Sequence, residues 1–238
     1  MRNLDTLIEQ LDLADYAEQI RSVARATVYC FAAPTPDSEI APEASKIGGD
    51  PDLPAREAWP YFEFNPLPFI AQINLGSIQE VLPTALLPEA GLLSFFRLGQ
   101  LDVARVLYTR PATKLERVTY PSGDAIERWD PIRSAVLSLV PGISLPSDPD
   151  PTWELGDTEM DQYGDLTGEL NPQGAWHRVL GHSSFESGEQ GELLLFECGS
   201  DQRIGTMWGD CGYLSFRIRA EDLARGQWVN AWCDFSCS

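Results

Sequence analysis

From Thr27 onward the chain is a succession of short apolar runs, each bounded by turn-forming residues. They read TVYCFA, LPFIAQINL, GLLSFFRL, VARVLYT and KLERVTYP, then AVLSLV, HRVLGHS, ELLLFEC, GYLSFRIR and WVNAWCDFS. Clusters of Gly, Pro, Asp and Ser separate them, the punctuation of strands joined by turns. Ahead of this series, Leu4, Leu7, Ile8 and Leu11 follow the i, i+3, i+4, i+7 spacing of a helix laying one stripe on a core. Leu13, Ala17, Ile20 and Ala24 continue in the same manner. Further short helices are expected at 76–81 and 220–225. The fold class is therefore α+β with β dominant, and residues 1–25 are its N-terminal helices.

A length of 238 residues suits one large β-rich domain or two small ones. With 43% hydrophobic residues, 10% of the chain being aromatic, it is globular rather than disordered. No run approaches the roughly 18 apolar residues of a membrane helix. The N-terminus carries acids through its first turns, so a secretory signal is not expected and a cytoplasmic location is. The formal charge is −19, from 36 acids against 17 bases. Such a field repels nucleic acid and anionic membrane and favours cationic partners, whether a basic protein, a polyamine or a metal ion. Five cysteines in no disulfide-framework spacing are read as reduced thiols.

Three segments break the strand rhythm. Residues 45–60, SKIGGDPDLPAREAWP, hold a Gly48-Gly49 pair with Pro51, Pro54 and Pro60, and so encode a shaped loop rather than a repeat. Residues 148–169 hold eight acids (Asp148, Asp150, Glu154, Asp157, Glu159, Asp161, Asp165, Glu169) and no base. That stretch is expected to repel itself and to stand off the surface as an acidic excursion. Finally, Gly91-Leu92-Leu93-Ser94-Phe95 recurs as Gly212-Tyr213-Leu214-Ser215-Phe216. Each copy follows an apolar strand and a polar turn, which suggests two related strand–loop–strand units about a pseudo-twofold axis.

The sharpest candidate for chemistry is 208–212, where Gly209 and Gly212 flank Asp210 and Cys211 on a tight turn. A nucleophilic cysteine needs an imidazole or helix N-terminus to lower its pKa, and His177 and His182 are the available histidines. Asp210 also suits a plain turn-capping role. Zinc is not expected, because Cys233 and Cys237 form a single knuckle where two are usual. Asp157, Glu159, Asp161 and Asp165 count like an EF-hand, but Gln162 and Gly168 occupy its Gly and bidentate Glu positions. No phosphate cradle motif occurs, and no metal or cofactor is implied. For binding, Trp59 and Trp208 sit beside Pro and Gly on loops, while Gln72 and Asn74 end an apolar strand as candidate cleft groups.

Several of these signatures, taken in order, resemble the YwqG-like family, a bacterial group of unknown function. They are Ile47–Leu53 with Pro54 and Trp59-Pro60, LPFIAQIN at 67–74, Leu92–Phe96, HRVLG at 177–181, Leu193–Leu195, and Met207–Asp210 with Gly212 and Asp222-Leu223. Phe196 departs from a common Gln, and His182-Ser183 from a common Tyr-Pro. The resemblance implies a single-domain β-rich roll over residues 1–238 with a helical N-terminus. Through relatives encoded near toxin genes, it also implies an immunity-like role. Two main functional readings follow. One is a non-enzymatic binding protein acting on a basic partner such as a toxin. The other is a small-molecule hydrolase or thiol enzyme with a cleft around 208–212. A scaffold without a ligand is the third.

Overall fold

A computed structural model describes residues 3–55, 58–99, 103–121, 132–184 and 191–237. The expected N-terminal helices are present as α1 (Leu4–Gln10) and α2 (Ala17–Val23). Asn3 caps α1 by accepting the Asp5 N–H at 2.9 Å. The strands of the first half are β1 (Arg25–Pro34), β2 (Lys46–Ile47), the two-residue β3 (Asp52–Leu53), β4 (Tyr61–Phe62) and β5 (Asn65–Pro66), and β6 (Phe69–Asn74). Helix α3 (Leu75–Val81) follows, then β7 (Leu92–Leu98), β8 (Val103–Thr109) and β9 (Glu116–Arg117). The second half runs β10 (Ala135–Ser144), α4 (Asp157–Leu170), β11 (His177–Val179), β12 (Glu192–Gly199), β13 (Tyr213–Arg219), α5 (Ala220–Ala224) and β14 (Trp232–Ser236). The fold is α+β and β-dominated.

Ten strands form one antiparallel sheet in the order β14-β13-β12-β11-β1-β10-β2-β6-β7-β8. Its two ends, β14 and β8, approach each other, so the sheet curls into a near-closed roll. Strand alternation sends Val28, Cys30 and Ala32 of β1, Leu93 and Phe95 of β7, and Phe196 and Cys198 of β12 into the interior. The other face is covered by loops, helices and two smaller apolar clusters.

The sheet order reads the same from either end once the halves are exchanged. β2, β6, β7 and β8 answer to β11, β12, β13 and β14. At the centre the first strands are swapped: β1 pairs with β11 of the second half, and β10 pairs with β2 of the first. The register repeats as well. Gln72 lies opposite Ser94 as Glu197 lies opposite Ser215, and Lys46 opposite Gln72 as Arg178 opposite Glu197. Even the irregularities coincide, with a bulge at Ile70 on β6 and one at Leu195 on β12. The two G-x-L-S-F copies therefore occupy equivalent places. They belong to one continuous sheet rather than to separate units, because each half donates its first strand to the other.

The acid-rich stretch contains a fourteen-residue helix, α4, where the sequence pointed to a repelled surface segment. Tyr163, Leu166 and Leu170 lie on its buried side and pack with Leu4, Leu7, Ile8, Leu13 and Ile20. The apolar stripe and the N-terminal helices together override the charge repulsion. α4 has no counterpart in the first half, where the β1–β2 connection holds only a 3-10 turn at Asp37–Glu39. None of the described helices is long and apolar enough to cross a membrane.

Candidate functional site

The loop after β2 and the loop after β11 are built alike. Gly48 and Gly49 have φ of 65° and 68°, and Leu180 and Gly181 have 60° and 81°. These left-handed pairs turn the chain back over the outer face of the sheet. In the first half the Asp50 N–H then donates to Asp37 Oδ2 at 3.1 Å and the Asp52 N–H to Gln72 Oε1 at 2.9 Å. In the second half the His182 N–H donates to Ser144 Oγ at 2.8 Å and the Ser184 N–H to Glu197 Oε2 at 2.8 Å. Arg56 and Glu57 of the 45–60 stretch lie outside the described residues.

Each loop covers a buried charge cluster. In the first, Lys46 is fully buried and its Nζ lies 2.6 Å from Asp37 and donates to the Asp50 carbonyl. Burial lowers the Lys46 pKa against the pull of Asp37. Gln72 donates to Asp52 at 2.7 Å and to the Ala44 carbonyl at 3.0 Å, and Arg117 holds Asp52 at 3.0 Å. Burial would raise the Asp52 pKa, but Arg117, Gln72 and the Glu43 N–H together bring it below the usual value. In the second cluster Arg178 Nε meets Glu197 at 3.1 Å, and Ser183, Ser184 and Ser215 donate to the same carboxylate at 2.7, 2.8 and 3.1 Å. Both clusters are internally satisfied, and the geometry is that of sheet-to-loop anchors rather than of a cleft.

The residues singled out in the sequence are distributed through this scaffold. Trp59 is buried, donates to the Leu67 carbonyl at 3.0 Å and packs edge-on against Phe96 and Tyr120. Trp208 is buried in the interior cluster together with Cys198. The two indoles thus belong to different clusters on opposite faces of the sheet, Trp208 inside the roll and Trp59 on its outer face. Asn74 caps α3 by accepting the Ser77 N–H at 3.1 Å and donates to the Glu43 carbonyl at 3.0 Å. Phe196 fills the interior beside Phe95, 5.2 Å between ring centres.

Both histidines are buried. His177 Nδ1 accepts the Gly199 N–H at 3.2 Å and Nε2 stands 3.7 Å from Asp201. Burial depresses its pKa despite Asp201 and so favours the neutral ring. His182 Nε2 faces the Val23 carbonyl at 2.7 Å. Asp201 would be raised by burial, but His177 and Arg203 hold its carboxyl well below the ordinary range. Cys211 and Asp210 are exposed on the turn, Cys211 with a φ of 60°. Gly212 is pressed against the Ser236 and Trp208 carbonyls, so the turn is fastened to the end of β14. Among the described residues no hydrogen bond or ion pair joins Cys211 to either histidine. Burial pushes the Cys30 thiol up to about 12 and raises Cys198 still further, which leaves both as unreactive core thiols. Among the described residues no cluster of His, Cys, Asp and Glu has the makings of a metal site.

The surface feature that the sequence reading missed lies on α4. Asp157, Asp161, Asp165 and Glu169 recur every four residues and so share one helical ridge, and all four are exposed. The helix has no base in its last turn to complement them. The spacing of four was visible in the sequence, as was the stripe of Tyr163, Leu166 and Leu170 that sets the opposite face. Beside the C-terminal end of this ridge, a cavity of about 290 Å³ opens between α4 and the outer face of β10.

No curated protein matches the chain. A family model described as "Domain of unknown function (DUF1963)" matches residues 45–237, from the Gly48-Gly49 loop through β14 and so nearly the whole duplicated sheet, although not β1 or the N-terminal helices. The chain belongs to this family of unknown function.

Proposed function

We propose that the protein is a non-enzymatic binding protein that engages a basic protein partner through the acidic ridge of α4. The observation that carries this reading is the ridge itself, four like charges at i, i+4 spacing on a helix that belongs to one half only. Each such pair destabilises a helix by about 0.2–0.5 kcal/mol, and Glu169 adds a negative charge at the negative end of the helix dipole. A cationic partner would relieve both. The net charge of −19 would steer such a partner and speed the encounter. The resemblance to the YwqG-like family points to a specific form, neutralisation of a basic toxin in the cytoplasm. The duplicated charge clusters support the non-enzymatic side, since their groups are engaged in anchoring loops.

The test is affinity capture from the source cell at low and high salt, with the double variant Asp161→Asn/Asp165→Asn in parallel. Wild type should retain a stoichiometric basic protein that high salt releases. The variant breaks every i, i+4 pair of the ridge. It should lose that capture while being as stable as wild type or about 1 kcal/mol more so. Retention of the same protein by the variant, or capture of nothing basic by wild type, would overturn the reading.

A further inference from the structure

The duplication sets the turn before β13 beside its counterpart before β7, and the two are fastened differently. The pairs Leu92–Thr109 and Tyr213–Ser236 open equivalent ladders, β7 with β8 and β13 with β14. Gly91 and Gly212 precede them, and a Cβ on either would collide with a carbonyl of the neighbouring strand, Thr109 or Ser236. In the first half the Tyr108 hydroxyl also donates to the Ala90 carbonyl at 3.0 Å, which ties the turn to β8. The equivalent place on β14 is taken by Phe235, which has no hydroxyl. A cysteine stands at both positions beyond the ladder instead: Cys211 where the first half has Ala90, and Cys237 where it has Arg110.

The two thiols share one corner of the sheet. Continuing the Tyr213–Ser236 register by one residue sets Gly212 opposite Cys237, with Cys211 next along the chain. A Cβ on Gly209 would stand 2.6 Å from Cys237 Cβ and 2.9 Å from its Sγ, so the Cys237 side chain rests on the turn that carries Cys211. Both cysteines are exposed, whereas Cys30, Cys198 and Cys233 are buried in the interior cluster. β13 begins at Tyr213 and β14 ends at Ser236, so neither exposed cysteine lies within a strand, and the two can close to disulfide separation without breaking the ladder.

We propose that Cys211 and Cys237 form a reversible disulfide when a peroxide oxidises the protein, a covalent tie in the place that the Tyr108 hydrogen bond holds in the first half. One thiol takes an oxygen from the peroxide to become a sulfenic acid, and one water leaves. The second thiol attacks that sulfur, the S–S bond forms, and the hydroxyl departs as a second water. Two electrons pass from the thiols to the peroxide, and a dithiol returns them on reduction. The tie acts on β14, an end strand hydrogen-bonded to the sheet on one side only. Such a strand is among the first to open locally, and fixing its end to the turn restrains that opening.

The experiment uses the full-length protein, reduced and then exposed to a few equivalents of hydrogen peroxide under native conditions. Thiols counted after denaturation should fall from five to three, and peptide mapping should return a Cys211–Cys237 link that dithiothreitol reverses. In the oxidised protein the β14 amides should exchange about threefold or more slowly, and the thermal midpoint should rise by about 5 °C or more. Cys211→Ser and Cys237→Ser, both at exposed positions, should each keep the reduced midpoint and lose the link and the slowing. The thiol left alone should run on to sulfinic or sulfonic acid for want of a resolving partner. Links to a buried cysteine, links between two copies, or separate over-oxidation of both thiols in wild type would overturn the proposal. So would a Cys211–Cys237 link that leaves β14 exchange unchanged.

Discussion

At the scale of single residues, the duplicated sheet provides its own controls. Ser94 and Ser215 hold equivalent positions and are both buried. Ser215 donates to Glu197 and meets Ser183 at 3.0 Å. In the first half Pro51 stands where Ser183 would be, and the Ser94 hydroxyl has no partner among the described residues. A buried hydroxyl without a partner contributes nothing to offset its desolvation. Ser94→Ala should therefore be neutral or slightly stabilising, while Ser215→Ala should cost about 1–3 kcal/mol by leaving the Glu197 network short of a donor. Urea denaturation of the two variants reads the contrast directly. Equal losses would show that the two serines are not in different environments.

The elements differ in how much of them could be read beforehand. The helices after β6 and β13 fall within a residue of the expected bounds, since each begins where a strand's apolar run ends. The G-x-L-S-F echo was legible because both copies kept the residues that face the interior. The rest of the duplication was not. Lys46 and Gln72 share no residue type with Arg178 and Glu197, although each pair keeps its place and its hydrogen bonds. Helix α4 was hidden by its own charge and by Gly164 and Gly168, poor helix formers at about 1 kcal/mol each. Neither glycine has an atom within 4 Å of where a Cβ would stand, so packing does not require it. Gly168→Ala should stabilise the protein by about 0.5–1 kcal/mol. Gly48→Ala should do the reverse by about 1–3 kcal/mol, since its φ is 65° and a Cβ would meet the Ile132 and Arg133 carbonyls. Thermal melts of the pair test both signs.

For the molecule as a whole, pH sets two effects against each other. Acidification toward pH 5.5 leaves most carboxylates ionised, so the self-repulsion of 36 acids is little relieved. Over the same interval the unfolded chain takes up a proton on His177 that the folded chain resists, because burial depresses the folded value. Stability from this residue is full above the ordinary value of 6.5 and is lost as pH falls below it toward the folded value. The slope approaches about 1.4 kcal/mol per pH unit for one proton. The urea midpoint should thus decline between pH 7.5 and 5.5, and His177→Gln should flatten that decline. An unchanged slope in the variant would assign the effect elsewhere.

The exchange of first strands also bears on how the chain is made. β1 leaves the ribosome well before its neighbours, since Arg25 pairs with Ser144, 119 residues later, and Val28 with Val179 later still. At about 5–20 residues per second the apolar β1 waits many seconds for either neighbour. Neither half can close alone, so a nascent chain stopped after β8 would present an unsatisfied strand rather than a finished domain. Helices α1 and α2 are in the same position, since the α4 face they cover is synthesised more than a hundred residues after them. The topology thus leaves β1, α1 and α2 without their native neighbours until the second half of the chain has been made.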